Sequence, residues 1–325
     1  MTRLAVTLSL ALAAQLALAV ALYWAGPTET TEREPLVAAL ASVDRLLISD
    51  AQQQTTLVRD GDGWLIEQLD NLPADSRRVS DALDRIGGVA LGFPVTTSSS
   101  AHERFEVARD NHQRHLQLYA GREPLGAVYL GTSPGFRQLH LRRTGEDEVY
   151  TVRMNVFDYP ADPQQWLDRQ LLAVDSISRV EGEDYILQRD EDRWLLGSGG
   201  EADPAGAQAL VEAFGSLRIT GVGEALAADA VQETSVTVTG ADAPLTFSFF
   251  SDGEQYRVSR SDLQGLFSLS QYEYERIAGV GHADLLAAHG DDAALDTDTP
   301  AADREAAAHE EEDAGQAGDS ATAAG

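Results

Sequence analysis

A chain of 325 residues with 43% hydrophobic and 24% charged residues has room for about two packed domains. Its 53 acidic residues face 24 basic ones, every one of them Arg, and the resulting charge of −29 repels nucleic acid and anionic lipid headgroups alike. The chain has no cysteine, which excludes disulfides, thiol catalysis, Cys-ligated metals and a lipidated N-terminal Cys, so any membrane tether has to be a helix.

From Leu4 to Trp24 the chain carries no charge, enough to cross a hydrocarbon core of about 30 Å. Arg3 precedes this stretch, whereas Glu29, Glu32 and Glu34 follow it against a single Arg33. The positive-inside rule therefore puts the N-terminus in the cytoplasm and the body outside, with Tyr23 and Trp24 at the level of an interfacial aromatic belt. Ala17-Leu18-Ala19 and Ala19-Val20-Ala21 resemble signal-peptide cleavage sites, but the apolar run outlasts a usual signal core and ends in aromatics. The reading is an uncleaved anchor over residues 1–28, in a bacterial inner membrane, with an extracytoplasmic (periplasmic) body. A charged linker, 29–44, follows.

The middle of the chain repeats itself. Arg59-Asp60-Gly61-Asp62-Gly63-Trp64-Leu65 lines up with Arg189-Asp190-Glu191-Asp192-Arg193-Trp194-Leu195, and Leu57 with Leu187. Upstream, Leu46–Ser49 pairs with Ser176–Arg179 as a strand. Downstream, Ala74-Asp75 matches Ala202-Asp203, and each precedes an apolar helical spacing: Val79, Leu83 and Ile86 in one copy, Ala207, Leu210, Val211 and Phe214 in the other. Asp75 and Asp203 read as N-caps, Pro204 as a first-turn proline, and Gly88 and Gly215 as stops. His115 to Tyr119 matches Val236 to Thr239, and Val149–Val152 matches Leu266–Leu269. Tyr272 to Glu275 echoes the aromatic strand end at Phe157 to Tyr159. The fold class is therefore α+β: two repeated modules, 45–172 and 173–283, each an antiparallel sheet with one helix packed on a face, after the N-terminal transmembrane helix. Residues 284–325 are rich in Ala, Asp, Glu and Gly and read as a disordered acidic tail.

Motifs that carry chemistry are few. Gly131-Thr132-Ser133-Pro134-Gly135 matches G-x-S-x-G, but Pro134 lacks the N–H that an oxyanion hole needs, and a strand follows where a nucleophile elbow has a helix. It reads as a hairpin turn. Asp60 to Gly63 recurs in a calcium-loop pattern only in part, since Trp64 stands at the fifth position and Asn71 at the twelfth. His112 and His115 are three apart in a loop-to-strand segment, so they share no helical face, and His102 and His140 complete no zinc spacing. Trp64 and Trp194 are core anchors or, on the rival reading, an aromatic platform for a ligand; Trp166 docks the inter-module linker. The expectation is no catalytic, cofactor-binding or metal-binding residue, no cofactor, no nucleic-acid partner and no enzymatic activity.

The order of these segments resembles a known family. The uncharged N-terminal helix is followed by Arg59 to Trp64, Ala74-Asp75 before a helix, and a Tyr129-Leu130-Gly131 to Pro134-Gly135-Phe136 hairpin. The Val149–Val152 strand comes next, then Pro163 with Trp166-Leu167-Asp168-Arg169 and Leu171-Leu172. That pattern is similar to the bacterial domain-of-unknown-function family 4340 over about Leu46 to Leu172, with a weaker second copy to about Ile277. Members are often encoded beside ABC-2-type exporters and a gliding-motility-type auxiliary protein. The resemblance implies an accessory subunit whose partner is an inner-membrane ABC permease or auxiliary protein. It supplies no catalytic residues, and the acidic tail lies outside its pattern. An envelope module binding a glycan or peptide is the alternative.

Overall fold

The computed structural model describes residues 3–24, 36–37, 39–197, 199–224 and 231–287, with backbone alone at 3–10, 22–24 and 231. The acidic tail beyond Ala287 lies outside the described residues, as does the part of the expected linker before Leu36. Helix α1 spans Arg3–Trp24. Its side chains are described at 11–21, about 16 Å of helix at 1.5 Å per residue. Among the described residues no helix is long and apolar enough to cross a membrane, so they do not support the span expected from Leu4 to Trp24.

Two antiparallel sheets follow. The first runs β4 (Leu72–Pro73), β3 (Gly63–Ile66), β2 (Gln54–Asp60), β1 (Arg45–Ser49), β5 (Arg114–Ala120), β6 (Glu123–Leu130), β7 (Leu139–Arg143) and β8 (Val149–Val152). The second runs β11 (Arg193–Leu196), β10 (Ile186–Asp190), β9 (Arg179–Glu181), β13 (Val231–Thr239), β14 (Leu245–Ser251), β15 (Tyr256–Arg260), β16 (Phe267–Leu269) and β12 (Gly221–Val222). The far edges correspond too: Gly221 and Val222 pair with β16, and Thr96 forms an isolated bridge to Val149 of β8. The halves thus share one topology.

Strand register locates the equivalences. Leu46 faces Leu57 and Leu118, whereas Val180 faces Leu187 and Val238. The residue equivalent to Leu46 is therefore Val180, and the expected match of Leu46–Ser49 to Ser176–Arg179 is four residues out. Distance from the shared turn misleads here because the second hairpin is shorter: β1 makes five pairs with β2, and β9 makes three with β10. The next turn is conserved in shape. Gly61, at φ +57°, is replaced in the second copy by Glu191, at φ +53°, a backbone region where a side chain costs roughly 1–2 kcal/mol.

Helix α2 (Ser76–Gly87) and helix α3 (Pro204–Gly215) start where the sequence places them. The Asp75 carboxylate accepts from the Arg78 N–H at 3.0 Å, and the Asp203 carboxylate from the Gly206 N–H at 2.7 Å. Val79, Ala82, Leu83 and Ile86 are buried against the first sheet, and Ala207, Leu210, Ala213 and Phe214 against the second, each large side chain contributing roughly 1.5–3 kcal/mol. In the second core Phe214 meets Phe247 (centroids 5.2 Å apart), and Phe249 meets Tyr274 (5.8 Å).

Each module closes on its own strand–helix junction. The Asp75 N–H donates to the Trp166 carbonyl (2.8 Å), and Ala74 bridges to Leu167. In the second copy the Asp203 N–H donates to the Leu285 carbonyl (2.9 Å), and Ala202 bridges to Leu286. Trp166 and Leu285 are both fully buried. The folded second module consequently runs to Ala287, beyond the boundary at 283 that composition suggests, because the short Leu285-Leu286 pair among Asp and Ala gives no periodic signal. Tyr272 to Glu275 belongs to helix α4 (Gln271–Ala278), capped by Ser270, and is not a strand end. Leu36 and Val37, assigned to the linker, are buried.

One segment has no counterpart in the sequence reading. Residues 99–113 cross the second face of the first sheet, where Val107, Tyr129 and Val149 form a small cluster with Phe105. The Arg142 Nε donates to the Val107 carbonyl (2.7 Å) and the Thr132 N–H to the Phe105 carbonyl (2.9 Å). A Cβ at Gly131 would lie 2.0 Å from the Phe105 oxygen and 2.6 Å from the Glu106 oxygen, both backbone atoms that cannot swing aside. Gly131→Ala is therefore expected to destabilise the protein by at least about 2 kcal/mol, whereas Gly135→Ala, with nothing nearer than 4.0 Å, should stay within about 0.5 kcal/mol. Thermal unfolding of the two variants checks this; equal effects would contradict the close approach.

Candidate functional site

The residues marked by sequence end in structural roles. The Ser133 hydroxyl donates within its turn, with the carbonyls of Gly135 (2.8 Å) and Gln138 (2.6 Å) as acceptors. His140 pairs with Thr132 instead (2.9 Å). Trp64 is buried with the Arg59 guanidinium 5.1 Å from its ring centre. Trp194 is half-buried against the core, and Trp166 is fully buried, donating through Nε1 to the Pro160 carbonyl (2.8 Å). Neither repeat tryptophan is an exposed platform.

The histidines depart from the sequence reading. His112 lies on the crossing segment, bridged to Val107, while His115 lies on β5. The fold brings their rings to 5.8 Å, and His115 stacks on Tyr129 at 4.2 Å. Helical spacing is thus not the only way to pair them, because β5 and β6 set His115 directly opposite Tyr129. A hollow of about 510 Å³ opens here, lined by Asp50, Arg109 and Asp110 as well. Burial lowers the His115 pKa to about 4, helped by His112 and then by Arg142. Burial also lowers His140, partly opposed by its bond with Thr132. Among the described residues no group of three His, Asp or Glu side chains is placed to hold a metal ion.

A larger groove was invisible in the sequence because three distant segments build it. The last turn of α2 supplies Arg85, and the tip of the β6–β7 hairpin supplies Phe136 and Arg137. The chain after β8 supplies Arg153 and Met154, and the following 3-10 turn supplies Asp158. The groove encloses about 680 Å³, within the range of ligand pockets. Arg85 pairs with Asp158 at 3.4 Å. Arg137 and Arg153 make no ion pair among the described residues, so three guanidinium groups share one carboxylate in a chain of charge −29. Phe136 is 88% exposed beside them, and Met154 is buried as the floor. Arg137 sits at φ +52°, a strained region whose occupation by a bulky side chain is common at functional positions. The only sequence signal was a large aromatic inside a turn, Gly135-Phe136-Arg137.

A family model described as "Domain of unknown function (DUF4340)" matches residues 64–244, more than half of the chain and parts of both modules. No curated protein and no solved structure matches the chain.

The His115 shift predicts a pH dependence. Its folded pKa of about 4 lies below the ordinary 6.5, so the unfolded chain binds this proton more tightly. The contribution to stability is complete above pH 6.5 and is lost as pH falls toward 4, by about 1–2 kcal/mol after discounting for the part of the ring that water screens. Urea midpoints at pH 7.5 and 4.5 should differ less in His115→Phe than in the wild type by that amount. An unchanged difference would remove His115 as the cause.

Proposed function

The chain belongs to the DUF4340 family, and on that premise we propose that it is a non-enzymatic accessory subunit of an ABC-2-type, gliding-motility-like export system, anchored by residues 1–28 in the inner membrane. On this reading the two modules stand outside the cytoplasm and are presented to the permease or its auxiliary protein. The observation that carries the anchor is the state of α1. Residues 11–21 are all exposed, among them Leu12, Leu16, Leu18 and Val20 at 54–62%, with no other described residue packed over them. An apolar helix with bare sides is stable only inside a membrane or against a partner. The absence of charge from Leu4 to Trp24 and the acidic flank at Glu29, Glu32 and Glu34 support the bilayer and the orientation.

A second reading, an envelope module that binds a glycan or peptide, loses its aromatic platform with the burial of Trp64. It keeps support from the arginine groove beside the exposed Phe136.

The tagged chain is expected to fractionate with membranes and to co-purify with an ABC permease. Replacing residues 1–28 by a cleaved signal sequence should release a folded, exported body and abolish that association. Recovery of the intact chain from the cytosol would overturn the anchor, and membrane association with no permease would overturn the accessory role.

A further inference from the structure

We propose that the groove formed by Arg85, Arg137 and Arg153 docks an acidic segment of a partner protein that also carries an apolar side chain. The proposal deepens the accessory-subunit reading and rests on it for where the partner lies.

Charge is the first argument. Acidic residues outnumber basic ones by 53 to 24, yet this groove collects three arginines against Asp158 alone. Arg137 and Arg153 find no carboxylate among the described residues, so they are available to a carboxylate brought from outside. A guanidinium offers paired N–H groups in a plane that matches both oxygens of Asp or Glu.

Shape is the second. The groove continues into a hollow of about 300 Å³ that shares Arg85 and Asp158 and adds Arg77 and Arg78 together with Asp75 and Asp81 from α2 and its cap, so the unbalanced positive charge is confined to the larger groove. Together the two hollows suit an extended segment better than a single small anion. Phe136 and Phe157, 88% and 76% exposed, flank them, and Arg with an aromatic side chain is the composition that dominates binding energy at protein interfaces. An inorganic anion would leave both rings in water. An anionic lipid surface would meet the field of a chain at −29.

The test uses the full-length chain in a neutral detergent and a fluorescein-labelled peptide, Glu-Glu-Leu-Phe-Glu-Glu, read by anisotropy. The wild type is expected to bind it. Affinity should fall at least tenfold in the Arg137→Ala, Arg153→Ala double variant and several-fold in Phe136→Ala, with far-UV dichroism unchanged. Arg122→Ala, on the exposed turn between β5 and β6, should leave affinity unaltered. The peptide with Gln in place of Glu should not bind. No binding by the wild type, or equal binding by the double variant, overturns the proposal. So does retention on phosphatidylglycerol vesicles with the same arginine dependence and no peptide binding. Failure here with permease co-purification intact removes this groove and not the accessory role; lost co-purification with peptide binding intact does the reverse.

Discussion

Two aspartates fix the architecture. Asp75 and Asp203 each cap a helix with the carboxylate and give the backbone N–H to a carbonyl far downstream, at Trp166 and Leu285. One residue thereby joins the start of the helix to the last segment of its module. A cap is worth typically about 1 kcal/mol and the backbone bond about the same. The buried side chain next to that carbonyl, Trp166 or Leu285, adds roughly 2–5 kcal/mol. Without this clasp the helix would still have an apolar face, but nothing would fix where it lies along the sheet.

The groove inherits its geometry from the clasp. Arg85 stands in the last turn of α2, where its charge also suits the helix dipole, and its position is set by the anchored first turn at Asp75. Arg153 and Asp158 lie on the stretch of chain between β8 and the clasping Trp166. Between Asp158 and Trp166 lie Tyr159, whose hydroxyl donates to the Ala82 carbonyl of α2 (3.0 Å), and Ala161, whose carbonyl accepts from the buried Thr55 (2.7 Å). The same stretch reaches the second module: the Gln164 side chain accepts from the Val222 N–H (2.8 Å), and Arg260 donates to the Leu171 carbonyl (3.0 Å). Helix placement, module junction and the positively charged surface therefore depend on one segment.

Much of this was legible because it is local. Arg-Asp-x-Asp-x-Trp marks a two-residue turn between strands, Ala-Asp marks a helix start, and apolar spacing marks the buried face of each helix. The parts missed are those that local pattern does not encode. The second hairpin lost four residues of length, which shifts its first strand without disturbing the turn. Residues 99–113 cover a sheet face through backbone contacts at Gly131, and a glycine in a turn reads the same with or without a neighbour. Leu36, Val37 and Leu285 stand in short apolar runs, Leu36-Val37 and Leu285-Leu286, too brief to show a helix or strand period, and only the tertiary fold buries them. The groove gathers arginines from positions 85, 137 and 153, a proximity that no spacing rule contains.

The clasp is tested most directly at its second copy, by shortening the chain from the C-terminus and following both thermal unfolding and hydrogen exchange at the Asp203 amide. A chain ending at Ala287 should unfold like the full-length protein, with that amide protected. A chain ending at Val280 lacks Leu285 and should lose at least about 3 kcal/mol, with the Asp203 amide exchanging freely. If the two shortened chains unfold at the same temperature with the amide equally protected, the closing segment does not hold the module together.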